Sequence, residues 1–146
     1  MGSSKFLRNA EILTTLHELN EHIAQPLWLS GGVVMDLLVG RWTRPHGDID
    51  LNTFAEFRAD LTHELHQPGY HTSDSGWLTH WYQQSSDCFI ELVFLERDTN
   101  GSPLLRIRPD DPLGIPGENP LLPDQLDPYR FAELEGVRFR MKFGTP

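Results

Sequence analysis

Cysteine is nearly absent: Cys88 stands alone among 146 residues, which excludes an intramolecular disulfide and argues against a cysteine-ligated zinc site. Long apolar runs are missing too. No stretch approaches the roughly 18 consecutive apolar residues of a membrane-spanning helix, and the first residues carry no apolar core of the kind that marks a secretory leader. These absences point to a soluble, unexported protein of the reducing cytoplasm. Basic residues are scarce, with 12 Lys and Arg against 21 Asp and Glu and a formal net charge of -9. Binding to a phosphate backbone depends on cations that displace counterions, so nucleic acid is a disfavoured partner and a cationic one is preferred. Excess negative charge also serves simply to keep proteins dispersed. Repeats of solenoid period are lacking, and compositional bias is confined to prolines.

What is present suffices for one ordinary core. Hydrophobic residues make up 38% of the chain and are spread along most of it, which predicts a single domain over residues 1–146. Phe6, Ala10, Leu13, Leu16, Leu19 and Ile23 recur at three- or four-residue steps, predicting an amphipathic helix over Lys5 to Ile23 with Ser3 or Ser4 as N-cap. Leu27 to Leu29 reads as a buried strand running into Ser30-Gly31-Gly32, and Val33 to Val39 as a second helix capped by Gly40. The loop from Arg41 to Gly47 delivers the chain into Asp48-Ile49-Asp50-Leu51, which alternates acid and aliphatic as a half-buried strand does. Phe54 to Leu65 returns to helical spacing, and Pro68-Gly69 marks a turn. Strands are expected at Tyr70 to Thr72, Trp77 to Gln83 and Cys88 to Leu95. Prolines concentrate in a segment at about 103–128, where Leu104 to Ile107 allows one more strand. An ordered loop held by Leu113, Ile115, Leu121, Leu122 and Leu126 is expected over the rest of it. Val137 to Phe143 reads as a last strand closing the sheet. The order of elements predicts an α+β (or α/β) domain with a mixed sheet and helices packed mainly on one side.

Three features share a chemistry. Glycines at a strand-to-helix junction let the backbone approach a ligand closely, and the free N–H groups of the new helix suit phosphate oxygens. Asp48 and Asp50, two apart on a strand, project to one face while Ile49 and Leu51 face the core, and paired carboxylates of this kind suit Mg²⁺. Glu91 lies in the apolar run Cys88 to Phe94, where an ionised carboxylate is costly without a partner. That partner is either Arg106, water at an open face, or a cation shared with Asp48 and Asp50; three carboxylates brought together stay ionised only around divalent metal. Arg41, Arg44 and His46 occupy the loop before the acidic pair, and guanidinium groups suit a triphosphate. The other histidines, His80 among them, show no ligand spacing and read as structural or exposed.

The run Trp28-Leu29-Ser30-Gly31-Gly32-Val33-Val34-Met35-Asp36-Leu37, followed by Gly40-Arg41-Trp42-Thr43-Arg44-Pro45-His46-Gly47-Asp48-Ile49-Asp50-Leu51, resembles the aminoglycoside and lincosamide nucleotidyltransferases of the DNA-polymerase-β-like superfamily. The resemblance extends over roughly Leu7 to Phe94. It implies a nucleotidyltransferase fold, with Asp48 and Asp50 as the metal-binding pair and Ser30, Gly31 and Gly32 as the phosphate-contacting turn. Glu91 would be the third carboxylate, as metal ligand or base, and Arg44 and His46 would lie near the nucleotide. Asp36 matches an acidic family position with no role assigned. Two departures stand out: the third carboxylate is usually Asp, and many relatives continue into helices that build the acceptor pocket, where this chain has its proline-rich segment. A minimal site, completion by a homodimer partner, or an acceptor unlike an antibiotic would each account for the second departure.

The resulting expectation is an enzyme that moves a nucleoside monophosphate, AMP from ATP or another nucleoside triphosphate, onto a hydroxyl of a small and cationic acceptor. The acceptor class implied is an aminoglycoside or lincosamide antibiotic, with two Mg²⁺ ions as cofactors and pyrophosphate as the product. Two other expectations compete with it: transfer to a protein or RNA hydroxyl, and a non-catalytic binding module that keeps the fold.

Overall fold

The computed structural model describes residues 7–66, 68–75, 77–83, 86–111, 114–121, 123–127 and 129–141. The chain opens with α1 (Asn9–His22), β1 (Trp28–Ser30), α2 (Gly31–Val39) and β2 (Ile49–Phe54). A short 3-10 turn at Ala55–Phe57 leads into α3 (Arg58–His66), followed by β3 (Tyr70–Ser75), β4 (Leu78–Gln83) and β5 (Ser86–Arg97). The remainder holds β6 (Pro103–Ile107), β7 (Gly117–Pro120), a 3-10 turn at Pro123–Leu126, and the hairpin of β8 (Phe131–Leu134) and β9 (Val137–Arg140).

Strands β1-β2-β5-β4-β3 lie side by side, with β6 and β7 extending from β5 to complete seven strands. The β2–β5 pair is parallel and its neighbours are antiparallel, so the sheet is mixed, as expected. Alternation along the strands assigns the two faces. Ile49, Leu51, Ile90, Leu92 and Trp81 point to one face and pack with Ile12, Leu16 and Leu19 of α1, Val33 and Leu37 of α2, and Leu61 and Leu65 of α3. The helices therefore cover one side. On the other face Trp28, Phe54, Leu95 and Leu126, joined by Val93, Leu105 and Leu121, form a smaller cluster. It covers only one end of that face, toward the C-terminal ends of β2 and β5.

Several expectations are corrected in detail. Helix α1 starts at Asn9, not Lys5, because Leu7 is held in a β-bridge to His46; Arg8 is the N-cap, its N–H donating to Glu11 Oε1 at 3.0 Å. Ser3, Ser4 and Phe6 lie outside the described residues. The buried stripe of α1 is Ile12, Thr15, Leu16 and Leu19, so Ala10 faces outward. Phe54 ends β2 instead of starting a helix, since its ring fills the second cluster against Trp28. The part of the expected last strand that is described, Val137–Arg140, pairs with β8 and not with the main sheet; Met141 makes an isolated bridge to Leu29 and the Arg140 guanidinium lies over the Trp28 ring, while residues 142–143 fall outside the described residues. Of the proposed anchors in the proline-rich segment, Leu121 and Leu126 pack inward while Ile115 is 85% exposed; Leu113 and Leu122 fall outside the described residues. Gly40 caps α2 in the left-handed conformation, as read (φ 83, ψ 19).

Candidate functional site

The open end of the second sheet face holds the chemistry. Register places Ser30 beside Asp50 and Asp50 beside Glu91, with His80 on the far side of Glu91. Asp48 precedes β2 by one residue, and the carboxylate oxygens of Asp48, Asp50 and Glu91 come within 4.8 Å of one another. Ile49 and Leu51 are completely buried on the opposite face. Glu91 does not meet Arg106, which bonds instead to Glu96 at 3.3 Å and Glu118 at 2.9 Å.

Both glycines at the β1–α2 junction are explained by what packs over them. Gly31 has φ 73, and a Cβ there would collide with the Asp50 carboxylate, its Cγ only 3.0 Å away. At Gly32 a Cβ would lie 3.0 Å from His46 Nδ1 and strike the Arg44 guanidinium. The pair thus lets Asp50, Arg44 and His46 crowd against the start of α2, whose first N–H groups have no acceptor within the helix. Ser30 turns its hydroxyl inward, donating to the Asp50 carbonyl at 3.4 Å and accepting from Asn52 Nδ2 at 2.7 Å. Arg44 is exposed, with no ion-pair partner among the described residues. Arg41 is exposed as well; its backbone N–H bonds to the Asp36 carbonyl at 3.2 Å, and no contact brings its side chain into the cluster.

The electrostatics follow from this crowding. Burial first, then the Asp48 charge and the hydrogen bond and charge of Glu91, push the Asp50 carboxyl up to about 7. Burial and the nearby Glu91 also raise Asp48, against a smaller opposing pull from His46 and His80. Two residues of consequence were not assigned from sequence. His80 Nε2 lies 3.3 Å from Glu91 Oε1, a neighbour fixed by the β4–β5 register. Asp36 is fully buried and bonds to Thr43 and to His46 Nε2, the latter at 2.6 Å. Its sequence signals are a lone acid inside an apolar helix and a match to an acidic position of the family, neither of which assigns a role.

The donor set fits a hard divalent cation. Three carboxylates that among the described residues have no basic side chain but His80 bonded to them, one of them pushed up to about 7 by burial and by its acidic neighbours, are what such an ion would relieve. Asp48, Asp50 and Glu91 are the residues able to hold it.

A mixed sheet with helices on one face and converging carboxylates beside a Gly-Gly turn defines the nucleotidyltransferase fold. Residues 12–126 match the family model of aminoglycoside-2''-adenylyltransferase, and the chain belongs to that family, hence to the nucleotidyltransferase enzymes. Among solved structures it is similar to the lincosamide antibiotic adenylyltransferase LnuA bound to lincomycin, with TM-score 0.66 and 18% identity over 95% of this chain and 82% of that one. It is also similar to the antibiotic-resistance factor ANT(2'')-Ia in solution, with TM-score 0.67 and 18% identity over 92% of this chain and 66% of that one. The crystal structure of ANT(2'')-Ia with adenylyl-2''-tobramycin gives TM-score 0.56 and 20% identity over 76% and 70%. No curated protein sequence matches the chain. No helix among the described residues is long and apolar enough to cross a membrane.

Proposed function

We propose that this protein is an antibiotic nucleotidyltransferase that transfers AMP from ATP to a hydroxyl of an aminoglycoside or lincosamide and releases pyrophosphate. The observation that carries the proposal is the convergence of Asp48, Asp50 and Glu91 beside Gly31 and Gly32 in a chain of this family. Mg²⁺ held by the three carboxylates would supply Lewis acidity toward the acceptor hydroxyl and the triphosphate. The chain's own groups do the rest. The N-terminus of α2 and the Arg44 guanidinium bind the phosphates, and Arg41 adds long-range attraction from the loop. Glu91 takes the proton of the acceptor hydroxyl as its oxygen bonds to the α-phosphorus, and the bond between the α-phosphorus and the bridging oxygen breaks to free pyrophosphate. The acceptor would approach over the sheet face that carries Glu91 and His80.

A net charge of -9 favours a polycationic acceptor by raising its local concentration, an advantage that added salt removes. The chain would act in the cytoplasm, where ATP and Mg²⁺ are supplied, and residues 1–146 would work as one domain. The test is Mg²⁺-dependent pyrophosphate release from ATP with a panel of aminoglycosides and lincosamides. Release with one drug class, absent in Asp48→Ala, is expected. Release with no drug, despite measurable nucleotide binding, would overturn the small-molecule acceptor and turn the search to protein or RNA hydroxyls.

A further inference from the structure

Helix α2 is built inside out at one position. Met35, Leu38 and Val39 are 56%, 51% and 52% exposed, while Asp36 between them is wholly buried beside Val33 and Leu37. Burying a carboxylate in an apolar layer is costly, and a leucine in its place would serve packing better. A purely structural reading leaves that choice unexplained.

The hydrogen bonds that Asp36 accepts from beyond α2 come from one segment. Its carbonyl accepts the N–H of Gly40 at 2.8 Å and of Arg41 at 3.2 Å. Its carboxylate accepts the Thr43 hydroxyl on one oxygen and lies 2.6 Å from His46 Nε2 on the other. One residue thus holds the whole segment 40–46. From the other side His46 is tied by its carbonyl to the N–H of Leu7 at 2.7 Å and lies beside the Trp42 ring. With Nε2 committed to Asp36, the imidazole presents Nδ1 toward Gly32, and Arg44, two residues earlier, lies against the same glycine. Arg44 is itself exposed and makes no ion pair among the described residues, so its placement depends on the loop that carries it.

We infer that Asp36 is a positioning residue for the nucleotide: by tying Thr43 and His46 into the core it holds Arg44 and His46 Nδ1 over the start of α2, where the triphosphate would bind. The inference rests on the proposed reading of the site as a nucleotide site. In this reading Asp36 touches neither nucleotide nor acceptor, and the register that sets Asp50 beside Glu91 comes from the β2–β5 pairing and not from Asp36.

The experiment measures binding of Mn²⁺ alone and of the non-hydrolysable α,β-methylene analogue of ATP with Mg²⁺, in the wild type, Asp36→Asn, Thr43→Val, Arg44→Ala and the Asp36→Asn/Arg44→Ala double variant. Asp36→Asn should weaken the triphosphate analogue about 10- to 100-fold, the range typical for loss of an orienting partner, while Mn²⁺ affinity stays within about twofold. Thr43→Val removes a single hydrogen bond from an exposed residue and should weaken the analogue about 2- to 10-fold; it carries the test if Asp36→Asn fails to fold. In the Arg44→Ala background Asp36→Asn should cost clearly less than in the wild type, because part of what Asp36 holds is already gone. Unchanged analogue affinity in folded Asp36→Asn, or an equal loss with and without Arg44, overturns the inference and leaves the site reading intact. A wild type that binds neither Mn²⁺ nor the analogue overturns the site reading, and the inference falls with it.

Discussion

The protein buries or half-buries acids in two places, Asp36 in α2 and the cluster of Asp48, Asp50 and Glu91, and they behave in opposite ways. Asp36 is fully buried, which alone would raise its pKa, yet the Thr43 hydroxyl, His46 and the Thr43 backbone together pull it below the ordinary aspartate value. Asp50 is less buried and is driven up to about 7. The difference is what surrounds each: donors around Asp36, other carboxylates around Asp50. Burial sets the stakes, and neighbours set the sign. Asp36 is satisfied by the protein itself, whereas Asp48, Asp50 and Glu91 crowd like charges together, which is the arrangement a bound cation would relieve.

The largest test of that contrast is to remove one acid from each group. Asp48→Ala or Asp50→Ala should lower turnover by about 10³-fold or more, since the site loses charge that orients the reacting phosphate; without divalent metal the same variants should be as stable as the wild type or more so, because repulsion is relieved. Asp36→Ala should do the reverse in metal-free protein, losing about 3–5 kcal/mol by stranding His46 and Thr43 without their buried partner. Chemical denaturation of the metal-free proteins separates the two; equal destabilisation by Asp36→Ala and Asp50→Ala would break the comparison.

Substitution of the glycines sharpens it. Gly31→Ala must place a Cβ both at φ 73 and against the Asp50 carboxylate, so it should cost about 1–2 kcal/mol in backbone conformation and displace a metal ligand as well. The readouts are thermal unfolding and Mn²⁺ affinity; a variant unaltered in both would mean the carboxylate can retreat freely.

The pH dependence of stability should carry both signatures. In metal-free protein the folded state keeps Asp50 protonated up to about 7 while the unfolded chain releases that proton near 3.8. The folded state binds more protons within that window, so Asp50 makes stability fall as pH rises through it. Asp36 has the opposite sign: its folded pKa is lowered from 3.8, so its contribution is present above that value and is lost as pH falls through the folded pKa. Saturating Mg²⁺ should flatten the first slope, by keeping the cluster ionised, and leave the second untouched. Denaturant midpoints measured across the range with and without Mg²⁺ test this, and a slope unaffected by the ion would remove the metal from the account.

The smallest expected effect lies within the loop. Arg44→Ala should raise the Michaelis constant for ATP about 10-fold or more, while Arg41→Ala, whose side chain is exposed and away from the cluster, should change it by less than about threefold. Comparable losses would show that both guanidinium groups reach the phosphates.

Much of this site was legible because its residues are close in sequence and their periodicities are simple. Ser30 to Gly32 and Asp48 to Leu51 are local patterns, and the two-residue period of a strand puts Asp48 and Asp50 together while Ile49 and Leu51 enter the core. Elements defined by long-range pairing were harder. The short strand β7, exposed at all four positions, has no alternation of its own; β9 alternates as Val137-Arg138-Phe139-Arg140, but that it pairs with β8 is not visible in that pattern; and Phe54 belongs to a strand because Trp28 packs on it from 26 positions earlier. The exposed Ile115 shows the same limit, since an apolar residue in a loop becomes an anchor only when another element comes to cover it.

By itself the sequence determined the local order of helices and strands, the glycine turn and the acidic pair, because backbone periodicity and turn chemistry act over a few residues. Tertiary structure alone decided the rest. The parallel β2–β5 register brings Glu91 to Asp50 across 41 positions, the antiparallel β4–β5 register gives Glu91 a histidine neighbour, and the packing of α2 turns Asp36 inward toward Thr43 and His46. Those encounters depend on how buried faces fit together, and whether a carboxylate ends among donors or among other carboxylates is settled only there.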